Sequence, residues 1–334
     1  AQLCFKHIME KGDEIIIYGP QITIPATNES LGIKLHKALN DKDEVPIFVD
    51  AFSGETLSNK TLLRDSCYLG QCLRNFGLTK NDVIAVCSEN HVRLFDPVVA
   101  GLYSGIIVSM FSPLYTEREL IHVANISQPS IIFCSTEASS VILKVKDRLK
   151  RVPKLVVINA KEDYRGCQSM KSFISEYIPA NFDVSTFSPC PVNVKEDVAF
   201  ILQSSGTTGL PKGVMLTHFN YTTVIGVIGF AAITNPRAAV TLINLPLHHA
   251  YGLFLAFRGI FDGGKAIIMK KFDPDVYLKT IQDYKIDQLS IVPSMANFLI
   301  KSPLVDKYDL SSVKRIRCGA APLGKSAEEA LIKR

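Results

Sequence analysis

Short runs of apolar and β-branched residues recur from about residue 82 onward, and they limit the possible folds of the chain more than any other feature. Most of these runs are continuous rather than alternating, which is typical of parallel strands covered on both faces. The predicted strands are 83–86, 105–108, 130–133, 155–158, 198–202, 241–245, 266–269, 289–292 and 313–317. Helix signals lie between them, such as the capping box of Thr116 and Glu119 and the N-cap pair Asp273–Pro274. The sequence therefore predicts an α/β fold with mostly parallel sheets.

The predicted strands fall into two series, which indicates two stacked α/β subdomains. Residues 1–80, with a helix predicted over 59–77, are expected to contribute to both subdomains. Residues 81–190 are expected to form the first subdomain, 191–235 to complete it with a strand–loop–helix unit, and 236–334 to form an incomplete second one. Ser188–Pro191 is the predicted linker. Because the chain lacks an initial Met and stops within an apparent helix, we expect a portion of a longer protein.

Charge and cysteine usage exclude several classes of partner. A formal net charge of +5 without a basic run argues against a nucleic-acid partner. No apolar run approaches the roughly 18 residues of a membrane span. The eight cysteines are isolated, with no CxxC pair and no histidines at zinc-ligand spacing. We therefore expect buried free thiols in an intracellular protein, either peroxisomal or cytoplasmic.

The segment with the clearest chemical meaning is 203–213, which reads QSSGTTGLPKG and follows a predicted strand. Its hydroxyl groups and exposed backbone N–H groups are hydrogen-bond donors, and its glycines allow close approach of a ligand. Lys212 adds a positive charge, so the loop suits a polyphosphate. It is not a Walker A loop, because Gly213 and Val214 follow the lysine, and the chain contains no GxGxxG dinucleotide fingerprint.

Residues 204–214 resemble the phosphate-binding signature of the adenylate-forming superfamily of acyl-CoA ligases, beetle luciferases and peptide-synthetase adenylation domains. Pro246–Gly252 resembles the histidine motif of the substrate pocket in that superfamily, and Cys318–Leu323 resembles its glycine–alanine motif. Four further stretches resemble the branch of beetle luciferases and 4-coumarate–CoA ligases: 87–90, 115–120, 126–129 and 301–311. The resemblance implies the N-terminal domain of such an enzyme, ending before the barrel and the C-terminal lid domain of the family.

The resemblance also implies the roles of individual residues. His249 would be the catalytic residue, donating to the carboxylate or its adenylate, although a histidine beside an apolar run is also commonly a core residue. Lys271 would contact CoA, with a solvated surface lysine as the alternative. The implied ATP-binding residues are Ser204, Ser205, Gly206, Thr207, Thr208, Gly209 and Lys212. The implied acyl pocket consists of His249, Ala250, Tyr251, Gly252, Gly319, Ala320, Ala321 and Pro322.

The leading functional prediction is an acyl- or aryl-CoA ligase that uses ATP, Mg²⁺ and CoA to activate a fatty or aromatic acid. No protein ligand of Mg²⁺ is expected in this segment. A beetle luciferase is the alternative, but Val224 stands where light-emitting enzymes of the family carry an arginine. A non-catalytic nucleotide-binding protein is the third possibility. The acidic, ribose-binding and lysine motifs of the family would lie beyond Arg334, so this stretch alone is expected to be inactive.

Overall fold

The computed structural model describes residues 7–11, 14–18, 28–204, 209–233 and 240–334. Within them the strands are β1 (His7–Lys11), β2 (Glu14–Tyr18), β3 (Pro46–Asp50), β4 (Thr56–Ser58), β5 (Val83–Cys87), β6 (Ile107–Phe111), β7 (Ile131–Cys134), β8 (Lys154–Val157), β9 (Gln168–Ser169), β10 (Val198–Ser204), β11 (Lys212–Thr217), β12 (Thr241–Ile243), β13 (Ala266–Ile268), β14 (Gln288–Ile291) and β15 (Arg315–Cys318). The helices are α1 (Leu31–Asn40), α2 (Asn59–Asn75), α3 (Phe95–Tyr103), α4 (Glu117–Ser127), α5 (Thr136–Val145), α6 (Met170–Tyr177), α7 (His218–Ile233), α8 (Ala250–Asp262), α9 (Pro274–Asp283), α10 (Pro293–Lys301) and α11 (Lys325–Lys333).

Two large sheets organise the described part of the chain, beside the β1–β2 pair. The first sheet has the strand order β11-β10-β6-β5-β7-β8-β9, and the second has the order β15-β14-β12-β13-β3-β4. Neighbouring strands in both sheets run parallel, except in the pairs β10–β11 and β3–β4. The predicted α/β fold with mostly parallel sheets is confirmed, and each of the predicted strands is present within a few residues.

The two sheets are stacked over a shared apolar layer. Along β5, Ile84 and Val86 point into this layer with α1, α3 and α8, whereas the intervening residues Ala85 and Cys87 pack under α4 and α5. The second sheet repeats the alternation. Ile268 faces the shared layer and Ile267 packs under α9 and α10. Both faces of each sheet are therefore covered at its central strands, as continuous apolar strands require.

Capping hydrogen bonds are present at the two helix starts that the sequence predicts. The Thr116 backbone N–H donates to Glu119 Oε2 at 2.9 Å, and the Glu119 N–H donates to Thr116 Oγ1 at 3.4 Å. Asp273 Oδ1 accepts from the Val276 N–H at 3.0 Å, directly before the proline that opens α9. These caps satisfy N–H groups that have no partner within the helix.

The predicted linker is wrong. The Cys190 N–H donates to the Tyr103 carbonyl at 2.7 Å, and the Arg74 guanidinium donates to the Ser188 carbonyl at 2.8 Å. Ser188–Pro191 therefore lies against the first subdomain and leads into β10 of that same sheet. Prolines and small residues end regular structure, but that alone does not mark a boundary between sheets. Strands β3 and β4, which join the second sheet, were not predicted.

Two buried contacts connect elements that are distant in sequence. The rings of Phe48 on β3 and Phe95 on α3 are both fully buried and stack with centroids 4.2 Å apart. His218, also fully buried, accepts the Leu31 backbone N–H on Nδ1 at 3.2 Å and so joins the starts of α7 and α1. Burial lowers the pKa of His218 to about 4, against a smaller opposing effect of Asp197.

None of the described helices has the length and apolar character needed to span a membrane.

We predict that Phe95→Ala lowers the free energy of unfolding by about 3–5 kcal/mol, because it removes a fully buried ring between the two sheets. Urea unfolding followed by circular dichroism measures the change. Phe52→Ala is the matched control, since Phe52 is 43% exposed and should cost far less. Equal losses in the two variants would contradict the shared core.

From the lowered pKa of His218 we predict that the folded protein loses stability as the pH falls. Between pH 6.5 and about 4 the unfolded chain binds a proton at His218 that the folded chain does not, so stability falls as the pH falls. The full effect is about 3 kcal/mol, from roughly 1.4 kcal/mol per pKa unit. His218→Asn keeps an acceptor near the Nδ1 position and cannot titrate. We expect its unfolding free energy to drop less than that of the unaltered protein between pH 7 and pH 4.5.

Candidate functional site

The predicted histidine motif forms the turn between β12 and α8. The His249 N–H donates to the Pro246 carbonyl at 3.1 Å, and the His249 carbonyl accepts from the Leu253 N–H at 3.0 Å as α8 begins. A Cβ atom on Gly252 would lie 2.3 Å from the Pro246 carbonyl oxygen. Glycine at 252 is therefore required for the first turn of α8 to press against this loop.

The two histidines of the motif have different environments. His248 is buried, and burial together with the neighbouring His249 lowers its pKa to about 3. His249 is exposed to solvent, with its ring centroid 4.4 Å from that of His248, and partial burial of the imidazole lowers its pKa as well. The position of His249 at the N-terminus of α8 also disfavours a positive charge. At neutral pH His249 is thus a neutral imidazole with one N–H to donate.

The glycine–alanine motif lies directly beside the histidine motif. A Cβ atom on Gly319 would lie 3.1 Å from the Tyr251 ring, so this ring packs on the backbone that follows β15. Ala320, Ala321 and Pro322 are exposed, and Ala320 has a left-handed φ of 68°. Left-handed backbone at a non-glycine residue is uncommon and concentrates at ligand sites. The structure therefore brings the predicted pocket residues 249–252 and 319–322 to the same edge of the second sheet.

Strands β10 and β11 pair antiparallel on either side of the central residues of the predicted signature. Ser205, Gly206, Thr207 and Thr208 are outside the described residues. On either side of them Ser204 of β10 pairs with Lys212 of β11, and the Ser204 hydroxyl donates to the Lys212 carbonyl at 3.4 Å. Gly209 has a φ of 128°, which only glycine adopts readily. The side chain of Lys212 is exposed and makes no ion pair with the described residues.

The predicted strand–loop–helix unit is therefore corrected to strand–loop–strand–helix. β11 pairs antiparallel with β10 at the edge of the sheet, and α7 starts only at His218. The Thr217 hydroxyl accepts the Asn220 N–H at 3.3 Å and caps α7, as its sequence position indicates. The run Val214–Leu216 after a glycine–proline turn is a strand signal that the sequence reasoning missed.

Helix α4 supports the hairpin from outside. His122 Nε2 donates to the Pro211 carbonyl at 2.9 Å, a contact that the sequence did not indicate. An open cavity of about 810 Å³ lies here, and Arg118, His122 and Lys212 contribute to its lining. The signature loop is thus attached on one side to β10 and on the other to α4.

The carboxyl edges of the two sheets meet at Asn90, just past the end of β5. The Asn90 side chain hydrogen-bonds to backbone groups of Leu245, Leu247 and Met269, all in loops that follow β12 or β13. In the first sheet β5 is separated from β10 by β6 alone, so β10 lies about 10 Å from β5 at about 4.8 Å per strand. The signature loop and the histidine motif therefore follow strand ends on one common side, where open α/β sheets bind ligands.

Two other residues singled out in the sequence are exposed. Lys271 follows β13 and has no ion pair among the described side chains, whereas its neighbour Lys270 pairs with Glu137 of α5. Val224 of α7 is 44% exposed. Asn90 and His122 are the residues that the sequence reasoning did not assign to the site. A polar residue just past a parallel strand was the available signal for Asn90.

Comparison with known proteins finds relatives of two kinds, luciferin 4-monooxygenases and 4-coumarate–CoA ligases. Luciferin 4-monooxygenase of Nipponoluciola cruciata is 37% identical over 329 residues, covering 97% of this chain and 60% of that protein. 4-Coumarate–CoA ligase 1 of Petroselinum crispum is 34% identical, covering 85% of this chain and 51% of that protein. The solved structure of a natural red emitting luciferase from Phrixothrix hirtus is 38% identical with a TM-score of 0.83, covering 91% of this chain and 58% of that one.

The chain spans about 60% of the length of the luciferin 4-monooxygenases that it matches. The family model described as AMP-binding enzyme matches residues 35–334, which include the signature hairpin, the histidine motif and the glycine–alanine motif. The predicted resemblance is confirmed, and the chain belongs to the family of AMP-binding enzymes.

Proposed function

We propose that this chain carries the ATP and acid sites of an enzyme that activates a carboxylic acid. The acid carboxylate would attack the α-phosphorus of ATP, giving acyl-AMP and releasing pyrophosphate. In the whole protein CoA would then displace AMP to give the acyl thioester. A peroxisomal or cytoplasmic location remains part of this proposal.

The observation that carries the proposal is the neutral, exposed His249 at the N-terminus of α8, beside the wall formed by Tyr251 and Gly319. A helix N-terminus favours an anionic group, here the carboxylate or the phosphate of the adenylate. A neutral imidazole adds one N–H donor to charge that develops as the carboxylate attacks phosphorus. No covalent protein intermediate is needed, so positioning and charge stabilisation supply the catalysis.

The hairpin at 204–212 suits the phosphates of ATP. Ser204 and Lys212 are exposed at its two ends, and the lysine charge is available because no described carboxylate pairs with it. Residues 205–208, two threonines among them, would complete the donor set around the β- and γ-phosphates. Mg²⁺, when bound, would neutralise phosphate charge in the same place. No protein ligand for it is assigned in this chain.

The acyl side of the site suits a flat or elongated acid. Ala320 and Ala321 are small and exposed, and the Tyr251 ring forms an apolar wall against Gly319. Small side chains leave space for a ligand, and an aromatic wall offers contact area for an aryl group or an alkyl chain. We therefore propose a fatty or aromatic acid as substrate, with the exposed Lys271 available to a phosphate group of CoA.

A luciferase is the second candidate function, favoured by the 37% identity to a luciferin 4-monooxygenase over 97% of the chain. Both candidates begin with the same adenylation. The exposed Val224 stands at the position where the resemblance implies an arginine in light-emitting enzymes, which favours the ligase. Luciferin, ATP and O₂ given to the full-length protein separate the two, because only the luciferase emits light.

ATP–pyrophosphate exchange by the full-length protein, over a panel of fatty and aromatic acids, tests the proposal directly. Exchange that depends on one class of acid is the expected result. Thioester formation on adding CoA then supports the ligase. No exchange with any acid, in a folded protein that binds ATP, would overturn the proposed function.

We predict that His249→Ala slows exchange by about 10²-fold, the usual cost of losing one donor to developing charge. The melting temperature should change little, because this side chain is exposed. An unchanged rate with a strongly lowered melting temperature would instead make His249 a structural residue.

Lys212→Ala should raise the KM for ATP by roughly tenfold or more, since hydrogen bonds to charged groups contribute about 1.5–3 kcal/mol. Steady-state kinetics at saturating acid measures the change. Lys195→Ala is the control, because it removes an exposed lysine from the loop before β10. Equal KM values for the two variants would argue against a phosphate contact at Lys212.

A further inference from the structure

Asn90 is a buried polar residue that the proposed chemistry does not use directly. It is 5% exposed and lies just past the end of β5 in the first sheet. Its Nδ2 donates to the carbonyls of Leu245 at 2.9 Å and Met269 at 3.0 Å, and its Oδ1 accepts the Leu247 N–H at 2.8 Å. All three partners are backbone groups of the second subdomain, in the loops after β12 and β13.

The side-chain amide is matched to this place. It supplies two N–H donors and one acceptor, and each is used by a backbone group that lies outside the strand ladders. An aspartate at this position would keep the size but lose both donors. An alanine would leave the two carbonyls and the N–H buried without partners.

The contacts continue from Asn90 to His249. Leu247 is held by Asn90, and two residues later the His249 N–H donates to Pro246 O at 3.1 Å. The backbone of Gly252 approaches that same Pro246 carbonyl so closely that an added Cβ atom would lie 2.3 Å from its oxygen. A displacement of the Leu247 backbone is therefore transmitted through this turn to the imidazole.

These hydrogen bonds matter because Asn90 follows a strand of the first sheet and its partners follow strands of the second. The signature hairpin extends from β10 of the first sheet, whereas His249 follows β12 of the second. Chemistry that needs both must fix the distance between the two sheets at their carboxyl edges. Within the described residues, Asn90 provides direct hydrogen bonds from the end of a first-sheet strand to the histidine loop.

We propose that Asn90 is a positioning residue for the adenylation step, holding His249 in register with the phosphate-binding hairpin. The proposal rests on the proposed function, because it assigns Asn90 to the same site. The amide of Asn90 is buried and its polar atoms are used by backbone groups, so we assign it no contact with the substrate. Its effect should therefore fall on kcat rather than on the KM for ATP.

Asn59 offers a matched control. It is 1% exposed, its Nδ2 donates to the Leu39 carbonyl at 3.0 Å, and its Oδ1 accepts the Val45 N–H at 2.8 Å. It is thus also a buried asparagine that hydrogen-bonds to backbone, but it joins the start of α2 to the last turn of α1 and to the loop that follows α1. Loss of either amide should destabilise the protein, and only loss of Asn90 should reach His249.

The experiment compares Asn90→Ala, Asn90→Asp and Asn59→Ala in the full-length protein. For both Asn90 variants we expect kcat for pyrophosphate exchange to fall about 10²-fold, the usual scale for a catalytic group displaced by about 1 Å. The KM for ATP should change little. Asn59→Ala should lower the melting temperature with kcat retained. Equal kcat losses in Asn59→Ala and Asn90→Ala, or an unchanged kcat in the Asn90 variants, would overturn the positioning role.

Amide hydrogen exchange gives a readout that does not need activity. Asn90→Ala should speed amide hydrogen exchange over residues 245–250 and leave residues 39–45 protected. Asn59→Ala should speed amide hydrogen exchange over residues 39–45 and leave residues 245–250 protected. If the unaltered protein catalyses no ATP–pyrophosphate exchange with any acid, the proposed function fails. The pattern of amide hydrogen exchange alone then decides whether Asn90 holds the histidine loop. Should Asn90→Ala fail to fold, Asn90→Ser, which keeps one hydroxyl, is measured in the same two assays with the same expected and contradicting outcomes.

Discussion

The shared apolar layer between the two parallel sheets is the feature on which the rest of the structure depends. A parallel sheet must be covered on both faces, because its apolar residues alternate between them. Here Ile84 and Ile268, from different sheets, contribute to one cluster with α1, α3 and α8. Stacking over a common layer brings the carboxyl ends of both sets of strands to one side. The loops that carry the candidate site residues follow those strand ends.

Within this stacked arrangement, close backbone approaches shape the candidate site in addition to the hydrogen bonds of Asn90. The carbonyl of Pro246 lies where a side chain on Gly252 would stand, and the Tyr251 ring lies against the backbone of Gly319. Close packing of this kind fixes the backbone of the turn that carries His249 at the start of α8. The low pKa values of both histidines in the motif then keep that region uncharged at neutral pH. A neutral donor beside a helix N-terminus suits a substrate that is itself an anion.

The same frame accounts for the relation to both luciferin 4-monooxygenases and 4-coumarate–CoA ligases. The family model described as AMP-binding enzyme covers residues 35–334, and relatives of both kinds match this stretch. Similarity to both kinds of protein therefore leaves the choice between the two proposed functions to individual site residues.

The sequence by itself determined the elements, because their signals are local. The apolar runs predicted the main strands, Thr116 and Asp273 predicted two helix starts, and the signature at 204–214 indicated phosphate chemistry. Tertiary structure alone decided that β11 closes a hairpin, that β3 and β4 join the second sheet, and that Asn90 and His122 support the site. The physical reason is distance along the chain: Asn90 meets Leu247 across 157 residues and His122 meets Pro211 across 89. No local pattern specifies which backbone group such a side chain will reach.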